Sequence, residues 1–275
     1  MTRVAVVGHV EWMEFARVPR LPAPGDIVHA SEVWEEAGGG GAVAAVQLAK
    51  LGGGCDFFTA LGDDERARRS AERLAAHGVR VHAAARHRPQ RRGFTHIDGD
   101  GERTITVIGE RIVPHGDDPL PWELLSEIDG VYFTGGDAGA LRGARRAGAL
   151  VATPRADATL LSAGVRLDAL VRSGSDAGEQ LDPSRLDPPP RYVVTTAGGR
   201  GGTWDADDGG SGTWEAAPLP GPPRDAYGAG DSFAAALAYG LGDGRGIDGA
   251  CALAALAGAH KLTGRAPYEN MLEQA

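Results

Sequence analysis

The sequence is poor in lysine. Lys50 and Lys261 are the only lysines among 28 basic residues, and the rest are arginine. No G-x-x-x-x-G-K-[ST] segment and no strand lysine of the V-A-I-K type is present, which excludes phosphate binding of the P-loop or protein-kinase kind. Schiff-base catalysis would have to use one of two lysines that look structural.

Cysteine, positive charge and long apolar runs are also scarce. Cys55 and Cys251 lie in apolar settings and are predicted to be buried free thiols. The net charge of −9 argues against a nucleic-acid or anionic-membrane partner. No apolar run approaches the roughly 18 residues of a membrane span. The first residues turn polar too soon for a signal peptide, so a cytoplasmic location is expected.

The order of the apolar segments predicts an α/β fold in one domain, residues 1–275. Runs such as RVAVVGHV are typical of buried parallel strands, and they alternate with helical segments. This alternation predicts a mostly parallel sheet covered by helices on both faces. Residues 79–108 alternate like strands instead. Together with residues 26–36 they predict a small antiparallel sheet projecting from the main body.

Residues 225–233, DAYGAGDSF, run directly into an apolar helical segment. Gly228 and Gly230 leave backbone amides uncovered at the helix start, where the dipole favours an anion. Asp231 is explained by helix capping alone. A transferring phosphoryl group explains both the glycines and the carboxylate, because amides would neutralise charge while Asp231 accepts a proton. Both interpretations stay open on chemistry alone.

The glycine-rich segment AGGGGAVAA at 37–45 has two interpretations. Gly39-x-Gly41-x-x-Ala44 matches a degenerate dinucleotide fingerprint, and Asp63 follows at a strand end. This would indicate an NAD-linked oxidoreductase. The fingerprint should follow the first strand directly, however, and about thirty residues intervene. Close packing of a helix on its neighbour is the alternative.

Other chemistry has weaker support. The eight histidines show no H-x-x-x-H spacing, which argues against zinc, and no G-x-S-x-G elbow is present. The acids at 173–179 could orient Mg²⁺ or cap the following turn.

Taken together, these segments resemble the ribokinase-like (PfkB-type) sugar kinase family. DAYGAGDSF resembles the C-terminal signature D-T-x-G-A-G-D-x-F, and AGGGGAVAAVQLAKLG resembles the N-terminal Gly-Gly signature. FFTALGDD, VVTTAGGRGG and LPAPGD resemble three further family segments. Their order and spacing fit along essentially the whole chain. The resemblance implies that a small β sheet, from segments near 11–36 and 79–109, forms a lid over the sugar.

The resemblance also implies roles for individual residues and ligands. Asp231 would be the base, with an anion hole at Gly228, Ala229 and Gly230. The other implied contacts are Thr196, Gly198, Gly201 and Gly258 for the nucleotide; Glu11, Asp26, Gly39 and Gly40 for the phosphoryl acceptor; and Asp176 and Glu179 for the metal. ATP and Mg²⁺ are the implied cofactors, with a monovalent cation as a further candidate. The implied partners are a small-molecule substrate and a second copy, paired through the lid.

The sequence departs from the family pattern at the sugar-binding end. Met13 and Val43 stand where the family usually has an aspartate and an asparagine that hold sugar hydroxyls. A polyhydroxy substrate needs buried polar partners, and each missing one costs about 1–3 kcal/mol. The leading hypothesis is therefore an ATP-dependent kinase with an altered acceptor pocket. A ligand-sensing pseudokinase is the second hypothesis, and the NAD-linked oxidoreductase is the third.

Overall fold

The computed structural model describes residues 1–273 of the chain. The strands, numbered along the chain, are β1 (Val4–Val7), β2 (Glu11–Arg17), β3 (Glu32–Gly38), β4 (Cys55–Leu61), β5 (Val79–Ala85), β6 (Arg92–Ile97), β7 (Arg103–Ile108), β8 (Gly130–Phe133), β9 (Ala149–Ala152), β10 (Ala169–Ser173), β11 (Tyr192–Thr196), β12 (Gly202–Ala206) and β13 (Ser211–Trp214). The helices are α1 (Gly40–Gly52), α2 (Glu65–Ala76), α3 (Ala138–Ala144), α4 (Asp157–Ser162), α5 (Ala229–Gly242) and α6 (Gly246–Leu262).

The large sheet has nine strands in the order β13-β12-β11-β10-β9-β8-β1-β4-β5. From β11 to β5 all neighbours are parallel, and the hairpin β12–β13 adds two antiparallel strands at one edge. Strand β1 lies inside the sheet and is buried along its whole length. Such a strand needs apolar residues on both faces, which explains the unbroken run VAVV. The predicted α/β fold is confirmed.

Helices cover both faces of this sheet. Val4 and Val6 belong to a core cluster that includes residues of α1, α5 and α6. Ala5 and Val7 belong to a second cluster with residues of α3 and α4. Successive strand residues point to opposite faces, so the alternation along β1 divides the core into these two layers.

The small sheet has the order β3-β2-β6-β7. Its outer pairings are antiparallel, and the middle pairing of β2 with β6 is parallel. Residues 79–85 do not belong to it: they form β5, which pairs in parallel with β4 at the edge of the large sheet. The prediction that placed them in the small sheet was wrong. Their alternation reflects an edge strand with one exposed face.

Cys55 and Cys251 are buried free thiols, as predicted. Helix α2 begins after Asp64, whose side chain accepts a hydrogen bond from the Ala67 amide over 3.1 Å, and it ends before Gly78 with φ 81°. Helix α6 is apolar but not buried on every face, since Leu256 is 39% exposed. No helix among residues 1–273 has the length and apolar character needed to span a bilayer.

The two lysines have opposite surroundings. Lys261 on α6 is fully buried, and its Nζ lies 3.7 Å from Asp225 Oδ1 without a hydrogen-bond partner. Burial lowers the pKa of Lys261, and Asp225 acts against that shift. Asp225 in turn accepts hydrogen bonds from the amides of Tyr227 (3.1 Å) and Ala266 (2.8 Å). Lys50 instead forms an ion pair with exposed Glu273.

Replacing Lys261 should therefore destabilise the fold. Lys261→Met leaves the Asp225 charge buried without compensation, and we expect a loss of about 3–5 kcal/mol in the free energy of unfolding. Lys50→Met, the matched control, should lose less than about 1 kcal/mol because its partner is exposed. Urea denaturation of both variants measures the difference. Equal losses of unfolding free energy in the two variants would show that the buried ion pair stabilises the fold no more than the exposed one.

Candidate active site

The first turn of helix α5 carries the glycine-rich motif. Gly228, just before the helix, has a φ of 78°. A Cβ there would lie 2.7 Å from Val43 Cγ1, so both the backbone conformation and the packing require glycine. No side chain caps this helix start. The first-turn amides are therefore available to an external acceptor, and the helix dipole favours an anion.

Asp231 lies in the same turn and faces the start of helix α1. A Cβ on Gly40 would be 2.6 Å from Asp231 Oδ1. The Tyr132 hydroxyl donates a hydrogen bond to this oxygen over 3.4 Å. Glycine at position 40 thus leaves room for the carboxylate beside α1.

The surroundings of Asp231 favour its protonated form. Burial raises the pKa of Asp231 from 3.8 to about 6, and the charge of Glu179 acts in the same direction. Arg103, the Tyr132 hydrogen bond and Arg155 lower it. The residue is half-buried and keeps partial contact with solvent. A carboxylate with a pKa near neutrality is well suited to accept a proton.

A pocket of about 450 Å³ opens beside this turn. Its lining contains every residue predicted to contact the nucleotide and two residues of the predicted anion hole. These residues are Thr196, Gly198, Gly201, Gly258, Ala229 and Gly230.

The remaining walls of this pocket are mostly apolar. They include Trp214, Phe233 and Leu262, and the Trp214 and Phe233 rings lie 5.7 Å apart. Apolar walls with a few polar groups at one end are typical of sites for small aromatic ligands. Sequence reasoning missed these two rings, although Phe233 ends the glycine motif and Trp214 ends the β12–β13 hairpin.

A larger pocket, about 660 Å³, lies between the start of α2 and the end of β7. Asp64, Arg66, Arg88 and Glu110 are among its lining residues, and none of the predicted site residues is. Size alone therefore does not identify the functional site.

Glu11, Gly39 and Gly40 adjoin Asp231 on the other side. A Cβ on Gly39, whose φ is 81°, would lie 3.2 Å from Glu11 Cγ and 3.3 Å from His9 Cδ2. Gly40 is next in the chain and contacts Asp231 as described above. Packing contacts at the start of α1 therefore connect Asp231 to Glu11 through Gly40 and Gly39.

Asp26 is not brought to this surface. Its carboxylate accepts hydrogen bonds from Arg20 and from the Ala23 amide (3.1 Å), both in the same exposed loop. The Arg20 bond, followed by the Ala23 bond, lowers the pKa of Asp26. A substrate contact by Asp26 stays a prediction.

Met13 and Val43 are core residues, and both are fully buried. Cβ atoms on Gly38 and Gly93 would lie 2.5 Å and 2.6 Å from Met13 atoms, so Met13 fills the space between these two glycines. Val43 packs beneath Gly228. Neither position offers a polar group to a ligand.

Asp176 and Glu179 are both held by Arg155. The guanidinium contacts Asp176, and its Nε lies 3.3 Å from Glu179 Oε1. Glu179 Oε2 accepts a hydrogen bond from the Ser173 amide over 2.9 Å. No group of three metal-ligating side chains occurs within residues 1–273. The two carboxylates fit only an ion that takes most ligands from phosphate and water, as Mg²⁺ does.

The comparisons with known proteins agree with this architecture. The family profile described as pfkB family carbohydrate kinase matches residues 1–156 and 184–274. The chain belongs to this family. A search of curated proteins found no match.

Solved structures show the same fold. A microbiome-derived acarbose kinase is 21% identical with a TM-score of 0.83, covering 99% of this chain and 96% of its own. Ribokinase from Thermotoga maritima is 21% identical with a TM-score of 0.78, covering 99% and 97%. Ribokinase from Arabidopsis thaliana, complexed with ribose and ATP, is 21% identical with a TM-score of 0.76, covering 99% and 96%.

The raised pKa of Asp231 generates a stability prediction. The pKa of Asp231 is about 6 in the folded state and 3.8 ordinarily, so ionising this carboxyl lowers the stability of the fold. This loss of stability grows as the pH rises from about 4 to 6 and stays constant above pH 6. Asp231→Asn removes this cost and should raise the free energy of unfolding by roughly 1–3 kcal/mol at pH 7.5. The gain should shrink as the pH falls towards 4. A destabilised variant at pH 7.5 in urea denaturation would contradict this account.

Proposed function

We propose that the protein is an ATP-dependent kinase that phosphorylates a hydroxyl of a sugar or sugar-like molecule. The observation that carries the proposal is the position of Asp231. Its carboxylate lies next to uncapped helix amides, with Gly230 of the apolar pocket on one side and Gly40 on the other, and we place the acceptor cleft on the Gly40 side, under the small sheet. Membership of a carbohydrate kinase family supports the same reaction.

The pocket at Gly258 supports nucleotide binding. Its apolar walls suit the base, and Ala229 and Gly230 connect it to the first turn of α5. A phosphate chain leading from the pocket would reach the amides at Gly228–Asp231. Ribokinase from Arabidopsis thaliana, a structural relative, has been solved with ribose and ATP.

The chemistry follows from this arrangement. The Asp231 carboxylate accepts the proton of the acceptor hydroxyl. The hydroxyl oxygen then forms a bond to the terminal phosphorus, the bond from that phosphorus to the bridging oxygen breaks, and ADP leaves. Amides of the α5 first turn donate hydrogen bonds to charge that develops on the transferred group.

Glu179 and Asp176 would hold Mg²⁺, through water or directly. The ion would neutralise phosphate charge when bound. Arg155 keeps both carboxylates on the side of the cleft that faces Asp231, as the effect of Glu179 on the pKa of Asp231 indicates. The monovalent cation and the homodimer through the small sheet stay predictions.

The alternatives have less support. In an NAD-linked enzyme the glycines at 39–41 would receive a pyrophosphate, but helix α1 follows β3 of the small sheet and Asp231 lies against Gly40. A pseudokinase would not need a carboxylate beside an open helix start, and both are present.

Removing the proposed base tests the function. Asp231→Asn should lower kcat by roughly 10²–10⁴-fold, while the dissociation constant for ATP changes little. Asp243→Asn, at the other end of the same helix, is the control and should keep full activity. ATP consumption against a panel of sugars, polyols and their acids measures turnover, and calorimetry measures ATP binding. Unchanged turnover in Asp231→Asn would overturn the mechanism.

The pH profile of kcat/KM provides a second test. Activity should fall as the pH drops through about 6, where Asp231 becomes protonated. Glu179→Gln removes a charge that raises this pKa, so the acid limb should move to lower pH, by up to about one unit. Arg103→Gln removes a charge that lowers it, so the limb should move to higher pH. Glu72→Gln, on the exposed face of α2, should leave the limb in place. If the acid limbs of Glu179→Gln and Arg103→Gln moved in the same direction, the assignment of this limb to Asp231 would be contradicted.

A further inference from the structure

His9, Glu11, Arg91 and Arg111 form a cluster at the far end of the proposed acceptor cleft; His9 and Glu11 are buried, Arg91 is half-buried and Arg111 is exposed. His9 follows β1, Glu11 begins β2, Arg91 precedes β6 and Arg111 follows β7. The chain thus brings four polar side chains together from four different connections. None of them has a part in the proton transfer described above.

The charges of this cluster do not balance. Glu11 is its only carboxylate, and Arg91 Nε lies 3.1 Å from Glu11 Oε1. Arg111 forms no ion pair within residues 1–273, and its one described hydrogen bond is a long contact of 3.4 Å with the Arg155 carbonyl. Burial lowers the pKa of His9 to about 3, with Arg111 and Arg91 adding to the shift, so the imidazole is neutral at physiological pH. One positive charge is left over.

Two buried nitrogens of the cluster have no partner. His9 is only 6% exposed, and its Nδ1 has no hydrogen-bond partner. Arg91 Nε is also unpartnered, because its contact with Glu11 lacks hydrogen-bond alignment. A Cβ on Gly135 would lie 3.6 Å from His9 Nδ1 and 3.4 Å from Val113 Cγ1, at ordinary contact distances, so the glycine leaves a small gap beside this nitrogen. Buried polar atoms without partners are costly, which points to a ligand that satisfies them.

The cluster is connected to Asp231 through the start of helix α1. His9 and Glu11 contact Gly39, and Gly40 contacts Asp231. The cluster and Asp231 therefore lie on either side of one short glycine segment.

The other wall of the cleft offers little polar recognition. Arg103, Ile105 and Val107 share one face of β7, and the Arg103 guanidinium reaches the Ala226 carbonyl at 3.3 Å. Ile105 and Val107 are 39% and 43% exposed, and Met13, which packs on Gly93, supplies no polar atom. Selectivity for a polar acceptor must come mainly from the cluster around Arg111.

We propose that the phosphoryl acceptor carries an anionic group, a carboxylate or a phosphate, that binds Arg111 and Arg91 beside His9. The acceptor is then a sugar acid or a sugar phosphate, with its reacting hydroxyl at Asp231. Glu11 compensates one guanidinium, and the ligand compensates the other. The proposal rests on the proposed function for the position of the reacting hydroxyl, but the anion site itself does not require phosphoryl transfer.

Binding to the full chain tests the proposal independently of turnover. The probes are D-gluconate, D-glucose and D-glucose 6-phosphate, and the corresponding ribonate, ribose and ribose 5-phosphate, measured by calorimetry. At least one anionic probe should bind roughly tenfold or more tightly than its neutral counterpart. Tighter binding of the sugar acids would identify the anionic group as a carboxylate, and tighter binding of the sugar phosphates would identify it as a phosphate.

Arg111→Gln should weaken binding of the preferred anion by roughly 10–100-fold and leave neutral probes unchanged. This variant leaves no buried carboxylate unpaired, because Arg111 has no ion-pair partner among the described residues. Arg111→Lys should keep part of the preference for anionic over neutral probes, since lysine retains the positive charge but lacks the planar guanidinium that can donate two parallel hydrogen bonds. Arg142→Gln, on the exposed face of α3, is the control and should bind like the wild type.

Each outcome decides the proposal. Equal or tighter binding of neutral sugars, no binding of any anionic probe, or an unchanged preference in Arg111→Gln would overturn it. Transfer to neutral sugars with no anion preference would leave the kinase function intact while rejecting the anion site. Arg111-dependent anion binding without transfer to any acceptor would support the site and reject the kinase.

Discussion

The close contact between the first turns of helices α1 and α5 is the constraint on which the site depends. Gly228 rests on Val43 with no space for a Cβ, and Gly40 makes room for the Asp231 carboxylate. Side chains at the two glycines would separate the helices. That separation would move the carboxylate away from Gly40 and the first-turn amides away from the pocket at Gly258. One packing contact therefore positions the proposed base and the proposed anion-binding amides together.

The parallel sheet explains why the remaining groups meet there. His9 follows β1, Ser173 ends β10 and Thr196 ends β11, so all three lie at carboxyl ends of parallel strands. Ligands in open α/β sheets bind at this edge. The small sheet covers the same edge from the other side. Burial at this edge raises the pKa of Asp231, and the charge of Glu179 adds to the shift.

Much of the fold, and the grouping of the glycine-rich turn with one pocket, could be predicted from sequence. The β-branched runs and the turn at 225–233 have local signatures, and Thr196 and Gly258 line one pocket as expected. Residues 79–85 were misplaced because an edge strand of a parallel sheet alternates like an antiparallel one. Arg91 and Arg111 carry no local signal, since only tertiary structure shows that Arg91 pairs with Glu11 and that Arg111 has no ion-pair partner within residues 1–273. His9 could have been noticed, because it directly follows the first parallel strand.

The central claim is that the α5 first turn holds the transferred phosphate beside Asp231. A crystal structure of the protein with a non-hydrolysable ATP analogue tests it most directly. The account predicts the base in the pocket at Gly258 and the terminal phosphate within about 3 Å of amides at Gly228–Asp231. Density for the nucleotide in the pocket at Arg66 and Arg88, or a terminal phosphate pointing away from Asp231, would contradict it.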